Sequence, residues 1–384
     1  MKKVFIISAI LLGATLLIWG VYNFAFKKSN SNTQVVKTIP KPQVVEPVKV
    51  DAVPVVKKQN KITVVSGDSV LGAVSDRKTE KIFYYSAVDG LVWQADSDGS
   101  SVIQSTSMKL TGLVGVNWSP DRTRVLTNFL KDGKNIFFSY DNVKKSGTQL
   151  KENLDSVAWD GLGGKIVYKY YDTKTKKRSL SVANPDGSGW QTIVDNVPFR
   201  NVSIAAVPLT AAISFWNFPS ATEESVLQMV AATGGEVKTV FKGRFGGDYL
   251  WSPDGSQSLV SSLISNNSKT ITLGIVNLQG EYRDLGIPTI AAKCAWSSDG
   301  KTVYYALPGA IPTGAVIPDD YQSKKFTTSD TFWKVNVVTG SKERVLELSD
   351  ISDSYDVSAP FLSATENSLF FTNRIDGKLY RVAL

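Results

Sequence analysis

The turn sequence Trp251-Ser252-Pro253-Asp254-Gly255 occurs again as Trp118-Ser119-Pro120-Asp121-Arg122 and as Trp296-Ser297-Ser298-Asp299-Gly300, with a shortened form at Trp159-Asp160-Gly161. No other feature limits the fold so much. Each copy is followed by an apolar run: Val125-Leu126, Ile166-Val167-Tyr168, Leu259-Val260 and Val303-Tyr304-Tyr305. A recurring unit of strand, tight turn and strand points to a radial or solenoid array. Within the turn, Pro presets φ, Asp or Ser supplies a local acceptor, and Gly adopts the left-handed conformation that a bulged hairpin requires. The Trp closes the preceding strand with a large apolar surface. A lone strand pair cannot bury that surface, so neighbouring sheets must stack on it.

Further turns complete the unit. One set reads Asp98-Gly99, Asn184-Pro185-Asp186-Gly187, Gly234-Gly235, Gln279-Gly280 and Thr339-Gly340; a middle set reads Asp89-Gly90, Asp132-Gly133 and Asp376-Gly377. Three hairpin turns per repeat imply four antiparallel strands, the blade of an all-β propeller. Counting by the Trp or its equivalent gives Val74, Trp118, Trp159, Val207, Trp251, Trp296 and Leu362, at steps of 44, 41, 48, 44, 45 and 66 residues. Five of the six suit a blade of roughly 40–50 residues. The count favours seven blades, with six or eight left open because three repeats are assigned by register alone. The final repeat, through Ser368 to Thr372 and Lys378 to Val382, stops one strand short. The strand Lys61-Ile62-Thr63-Val64-Val65 has no blade of its own. It is expected to complete the last blade and so remove two exposed sheet edges.

The copies at Trp118, Trp251 and Trp296 resemble the TolB-like propeller repeats, strongly in three repeats and weakly in the rest of 61–384. The resemblance implies a β-propeller and, frequently, an extracytoplasmic setting. The motif residues Trp118, Pro120, Asp121, Trp159, Trp251, Pro253, Asp254, Gly255, Trp296, Asp299 and Gly300 are structural, so no catalytic residue is carried over. The family's namesake has an α/β domain before its propeller. Here an anchor and linker stand in that place, so a role in the Tol system does not follow.

Val4 to Phe26 is a charge-free run bracketed by Lys2-Lys3 and Lys27-Lys28. Its length spans a hydrocarbon core of about 30 Å, and no small-x-small site closes it. Residues 1–28 are therefore expected to be an uncleaved signal anchor, with a cleaved signal as the alternative. Trp19, Tyr22 and Phe24 suit an interfacial belt. Positive charge flanks both ends, and the short leading tail favours an exported C-terminal part. Residues 29–60, rich in Pro, Val and Lys, read as an extended linker, and 61–384 as the propeller. The net charge of +8 sits almost wholly in residues 1–60, which hold nine Lys or Arg against two acids. The propeller is nearly neutral, which argues against nucleic-acid binding.

The chain has no histidine and one cysteine, Cys294, which lies in an apolar run and reads as a small buried hydrophobe. Ser-His-Asp and Cys-His catalysis and His-based metal sites are thus excluded, and no G-x-S-x-G elbow is present. Ser298 to Thr302 only partly matches a sialidase Asp-box, and Asp96 to Gly99 only partly a calcium loop; both read as hairpin turns. No cofactor or metal is expected. The one long interruption is the insertion Pro308 to Thr331, and long loops on a rigid scaffold concentrate binding residues. Asp319, Asp320, Tyr321, Lys324, Lys325 and Phe326 are the candidate recognition residues. The reading is a membrane-anchored, extracytoplasmic, non-enzymatic module for an envelope protein, peptide or cell-surface polymer. The rival is a carbohydrate-active hydrolase or lyase with carboxylates in the central channel.

Overall fold

The structure is a computed structural model that describes residues 60–266 and 268–384. The expected anchor, 1–28, and all but the last residue of the expected linker, 29–60, lie outside the described residues. Among the described residues no helix is long and apolar enough to cross a membrane.

Antiparallel four-stranded sets make up the whole fold, as a β-propeller requires. Three stand as separate sheets, and two seven-stranded sheets each divide at one long strand. The strand Ile62–Asp76 pairs through Ile62, Thr63 and Val64 with Val382, Arg381 and Tyr380, and through Val70 to Asp76 with the strand Lys81–Ser86. The strand Lys238–Trp251 likewise serves Glu224–Ala231 on one side and Gln257–Leu263 on the other. The N-terminal strand therefore does fasten the C-terminal one, as its lack of a blade suggested.

The register read from the sequence matches the strand ends. Trp118, Trp159, Trp251, Trp296 and Leu362 are the last residues of their strands. Val74 lies two residues before the end of Ile62–Asp76, and Val207 follows Val202–Ala206 directly.

Alternation along the strands buries side chains between adjacent sets, so the core is layered and not central. One layer joins Leu126 and Phe137 to Trp159 and Ile166; another joins Leu259 and Leu273 to Val303 and Val335. Phe370 and Leu379, from the C-terminal strands, pack with Ile82 and Tyr84 from the N-terminal end. Each of the four tryptophans of the turn motif also ties its set to the one before. Trp118 Nε1 donates to the Gly72 carbonyl at 2.8 Å, Trp159 Nε1 to Asn117 O at 3.0 Å, Trp251 Nε1 to Ser214 Oγ at 2.8 Å, and Trp296 Nε1 to Leu250 O at 3.0 Å. The indole thus fills the apolar layer and satisfies its one donor across it.

The turns that follow share one construction. Ser119, Ser252 and Ser297 hydroxyls donate to Asp121, Asp254 and Asp299 at 2.5–2.6 Å and accept the backbone N–H of Arg124, Gln257 and Thr302. Hydrogen bonds from Ser252 and Ser256 hold the Asp254 carboxyl below its usual range, as those from Ser297 and Lys301 do for Asp299. Cys294 is buried and free, and burial pushes its thiol up.

Candidate functional site

Successive strands of a set run in opposite directions, so the first turn of every set lies at one end of the channel and the second turn at the other. The insertion is a second turn. The structure gives its flanks to the strands Thr302–Gly309 and Ser329–Asn336, leaving 310–328 as loop with one short helix, Asp319–Gln322.

That loop is bound down at several points. Asp319 accepts hydrogen bonds from Ser220 Oγ at 3.0 Å and the Ala221 N–H at 2.7 Å. Tyr321 is buried, its ring 5.9 Å from Phe326, in a cluster with Ala221, Leu263 and Ile317. Its hydroxyl donates to Asp356 Oδ1 at 2.6 Å. Asp320 accepts the Val316 N–H at 2.8 Å and pairs with Lys325 at 2.5 Å, while Lys324 and the Lys325 side chain stand in solvent. Of the six candidate residues, Asp319 and Tyr321 fasten the loop, and the two lysines form its outer face.

Beneath Tyr321 lies a charged cluster that the sequence did not disclose. Lys293 is 1% exposed, and its Nζ meets Asp330 Oδ2 at 2.5 Å, Asp356 Oδ1 at 2.7 Å, Val357 O at 2.9 Å and Thr328 Oγ1 at 3.1 Å. The Arg374 guanidinium lies 3.8 Å over the Tyr321 ring and donates to the Tyr321 carbonyl at 2.8 Å. Burial pushes the Asp330 carboxyl up. Burial acts the same way on Asp356, but donors from Lys293, Tyr321 and Thr328 outweigh it and hold that carboxyl down. Burying a charge is tolerable only when it is paired and hydrogen-bonded; the cluster pairs its charges, but Asp330 Oδ1, Asp356 Oδ2 and Arg374 Nη1 are buried without a hydrogen-bond partner. One signal was present in the sequence: a lysine inside the apolar run Ile290 to Trp296.

The opposite end is open. A cavity of about 580 Å³ reaches in from the first turns, between Ala73 to Lys78, Pro120 to Arg122, Trp251, Trp296 and Pro360 to Ser363. Its carboxylates are engaged locally. Asp76 takes the Lys78 N–H at 3.0 Å and Thr79 Oγ1 at 2.7 Å, Asp121 takes Ser119 and Thr123, and Glu366 takes the Ser298 N–H at 2.6 Å. The cations are not so engaged. Among the described residues no carboxylate forms an ion pair with Arg77, Lys78 or Arg122. Arg122 donates only to backbone carbonyls, of Ser75 and Ser119, both at 3.3 Å. It does so from φ 62, where the sister turns have Gly163, Gly255 and Gly300 at φ 66 to 71. A left-handed arginine costs about 1 kcal/mol that glycine would not.

A second cavity, about 620 Å³, runs between two sets on the flank and is lined by Met108, Leu110, Phe129, Leu130 and Phe138. No charged cluster converges on it. Among the described residues no group of three or more His, Cys, Asp or Glu is placed to hold a metal ion.

No family model matches the chain, and no curated protein does. Solved structures share its fold. An oligogalacturonate lyase from Vibrio parahaemolyticus has a TM-score of 0.60 at 12% identity, over 85% of this chain and 94% of that one. An oligogalacturonate lyase in complex with manganese has 0.58 at 15%, over 85% and 91%. The β-propeller domain of the Trilobed protease from Pyrococcus furiosus has 0.54 at 11%, over 83% and 94%. At such identities the likeness establishes the fold, a β-propeller.

Proposed function

We propose that this chain is a membrane-anchored β-propeller displayed outside the cytoplasm, a non-enzymatic module for an envelope protein, a peptide or a cell-surface polymer. The anchor reading rests on the charge-free run Val4 to Phe26, and the TolB-like reading on the Trp turns. The ring is taken to have seven blades. In support, seven apolar clusters each bridge neighbouring four-stranded sets, the last set to the first included.

One observation carries the binding reading. The open channel end has a cavity of about 580 Å³ whose cations make no ion-pair contact within 4 Å, whereas at the other end the lysine and both carboxylates are paired and buried. Concave sites with a few free polar groups are where ligands bind. The test is site-specific photo-crosslinking in the native membrane, with the probe at Thr79 beside the open end or at Ser323 on the insertion. Crosslinks to a discrete partner from Thr79 support the open end as the working face. Crosslinks from Ser323 alone would move that role to Lys324 and Lys325.

The rival reading has one feature in its favour: Asp330 and Asp356 form a carboxylate pair beside Tyr321 and Arg374, groups suited to glycoside chemistry. Both carboxylates are sealed, with side-chain exposure of 0%. Hydrolysis needs them open to substrate and water. Release of products from polygalacturonate by the parent protein, lost in Asp356→Asn, would establish the rival.

A further inference from the structure

We infer that a pocket at the seam between the last and first strand sets binds a primary amine with a carbonyl beside it, as at a peptide N-terminus, through Asp68, Tyr84 and Trp93. The pocket is separate from the channel, and its ligand does not depend on which channel end meets a partner.

Ring closure creates this pocket. The N-terminal strand loses register with Lys378–Ala383 between Val64 and Ser69, and pairs with Lys81–Ser86 from Val70 onward. The crossing is fixed through its backbone: Ser66 Oγ donates to Asp68 O at 2.7 Å, and the Ala87 N–H to Ser69 O at 2.8 Å. Tyr84 and Trp93 lie opposite one another on adjacent strands, so their side chains share a face. With Asp68, Ser69 and Ser86 they line a space of about 220 Å³. That is the room of about seven waters, enough for a chain end and too little for a folded loop.

Unused valences converge on this space. Among the described residues Asp68 makes no ion pair, and its carboxylate accepts no hydrogen bond. Tyr84 is 3% exposed, yet its hydroxyl has no hydrogen-bond partner among those residues. A tyrosine hydroxyl so deeply placed ordinarily finds one. Burial pushes that hydroxyl up to about 12, and the nearby Asp68 charge adds to the rise. Trp118, Trp159, Trp216, Trp251, Trp296 and Trp333 each give the indole N–H to a protein acceptor, and Trp93 gives its own to none. Asp68 is the one charge in the lining. Lys378, paired opposite Ser69, does not line the pocket and is offset by Asp376 two residues earlier.

These groups select a ligand. An ammonium has three donors and no acceptor, and Asp68 and the Tyr84 oxygen accept from it. The aromatic rings beside them favour a cation over a neutral group. The Trp93 N–H needs an acceptor, which a plain alkylamine lacks and a peptide N-terminus supplies in its first carbonyl. An anion would be repelled by Asp68. A sugar ring needs an open aromatic face, which Tyr84 at 3% exposure does not present.

Fluorescence anisotropy on the full-length chain in detergent tests this, with the peptide Ala-Gly-Ser-Gly-Ser labelled at its C-terminus. The same peptide acetylated at its N-terminus, and an acetylated peptide with a central lysine, serve as competitors. The parent should bind the probe saturably, and neither competitor should displace it at tenfold excess. Asp68→Asn should weaken binding at least tenfold, by loss of a charge-assisted bond, while the thermal midpoint stays level because that side chain has no partner to lose. Tyr84→Phe and Trp93→Phe should each weaken it about threefold. Asp195→Asn, which alters an exposed carboxylate outside the pocket, should bind as the parent does. Failure of the parent to bind, equal binding by Asp68→Asn, or a matching loss in Asp195→Asn would overturn the inference. So would displacement by the acetylated peptide. Displacement by the lysine peptide would overturn the N-terminus as ligand and give the pocket to lysine side chains.

Discussion

At the insertion end of the channel, Lys293 is enclosed with Asp330 and Asp356, and Tyr321 closes over them. At the turn end, Arg77, Lys78 and Arg122 line a cavity with their carboxylate neighbours otherwise engaged. Both ends bring cations and carboxylates together. They differ in exposure, and exposure decides what each can do. A buried charge must find its partner within the protein, so the insertion end spends its polar groups on holding a loop. The exposed charges of Arg77 and Lys78 are solvated and can wait for a partner from outside, whereas Arg122 is half-buried and burial lowers its pKa. A dense polar cluster is therefore a poor guide to a binding site unless its free valences are counted.

Substitutions can break this contrast at either end. The largest effect is expected for Lys293→Met, which leaves Asp330 buried without a cation and Asp356 with only the more distant Arg374, at 3.9 Å. Removing one partner of such a group costs about 3–5 kcal/mol. Urea unfolding measures it, and a loss below about 1 kcal/mol would mean the cluster is wetter than its geometry indicates. Tyr321→Phe deletes the 2.6 Å bond to Asp356 and should cost about 1.5–3 kcal/mol, with faster proteolysis of 310–328 as the second readout. At the turn end the costs are lower. Ser252→Ala removes one hydroxyl that donates to Asp254 and accepts the Gln257 N–H, and about 1 kcal/mol is expected in the same assay.

Acid should act on the turn end through Asp254 and Asp299, whose folded carboxyls are held below their unfolded range of about 4. Their contribution is complete above that value and is lost as pH falls through the depressed folded value. The urea midpoint of the parent should therefore lose less between pH 7 and 3 once Asp254→Asn and Asp299→Asn have removed these groups. The smallest effect is expected for Arg77→Ala with Lys78→Ala, within about 0.5 kcal/mol, because neither side chain has a partner to lose.

The repeat was legible because its residues act locally. Trp118, Trp159, Trp251 and Trp296 mark strand ends, and Ser-x-Asp builds three of the four turns from within five residues. Closure by Ile62 was legible from a missing strand at the other end of the chain. The insertion stood out as an interruption of the spacing, but its direction did not. Asp319 finds Ser220 and Ala221 about a hundred positions away, and Tyr321 finds Asp356 across 35 residues, and no local pattern announces such pairs. Lys293 left only the trace of one charge in an apolar run. Arg122 was on view as the departure from glycine in its motif, and its meaning needed the cavity beside it.

The central claim is that the turn end, and not the insertion end, meets the partner. Hydrogen exchange on the anchored chain, with and without the crosslink-identified partner, tests it most directly. The account predicts added protection at residues 76–80, 120–124 and 363–367, with 310–328 unchanged. Protection confined to 310–328, with the first turns exchanging as before, would contradict it.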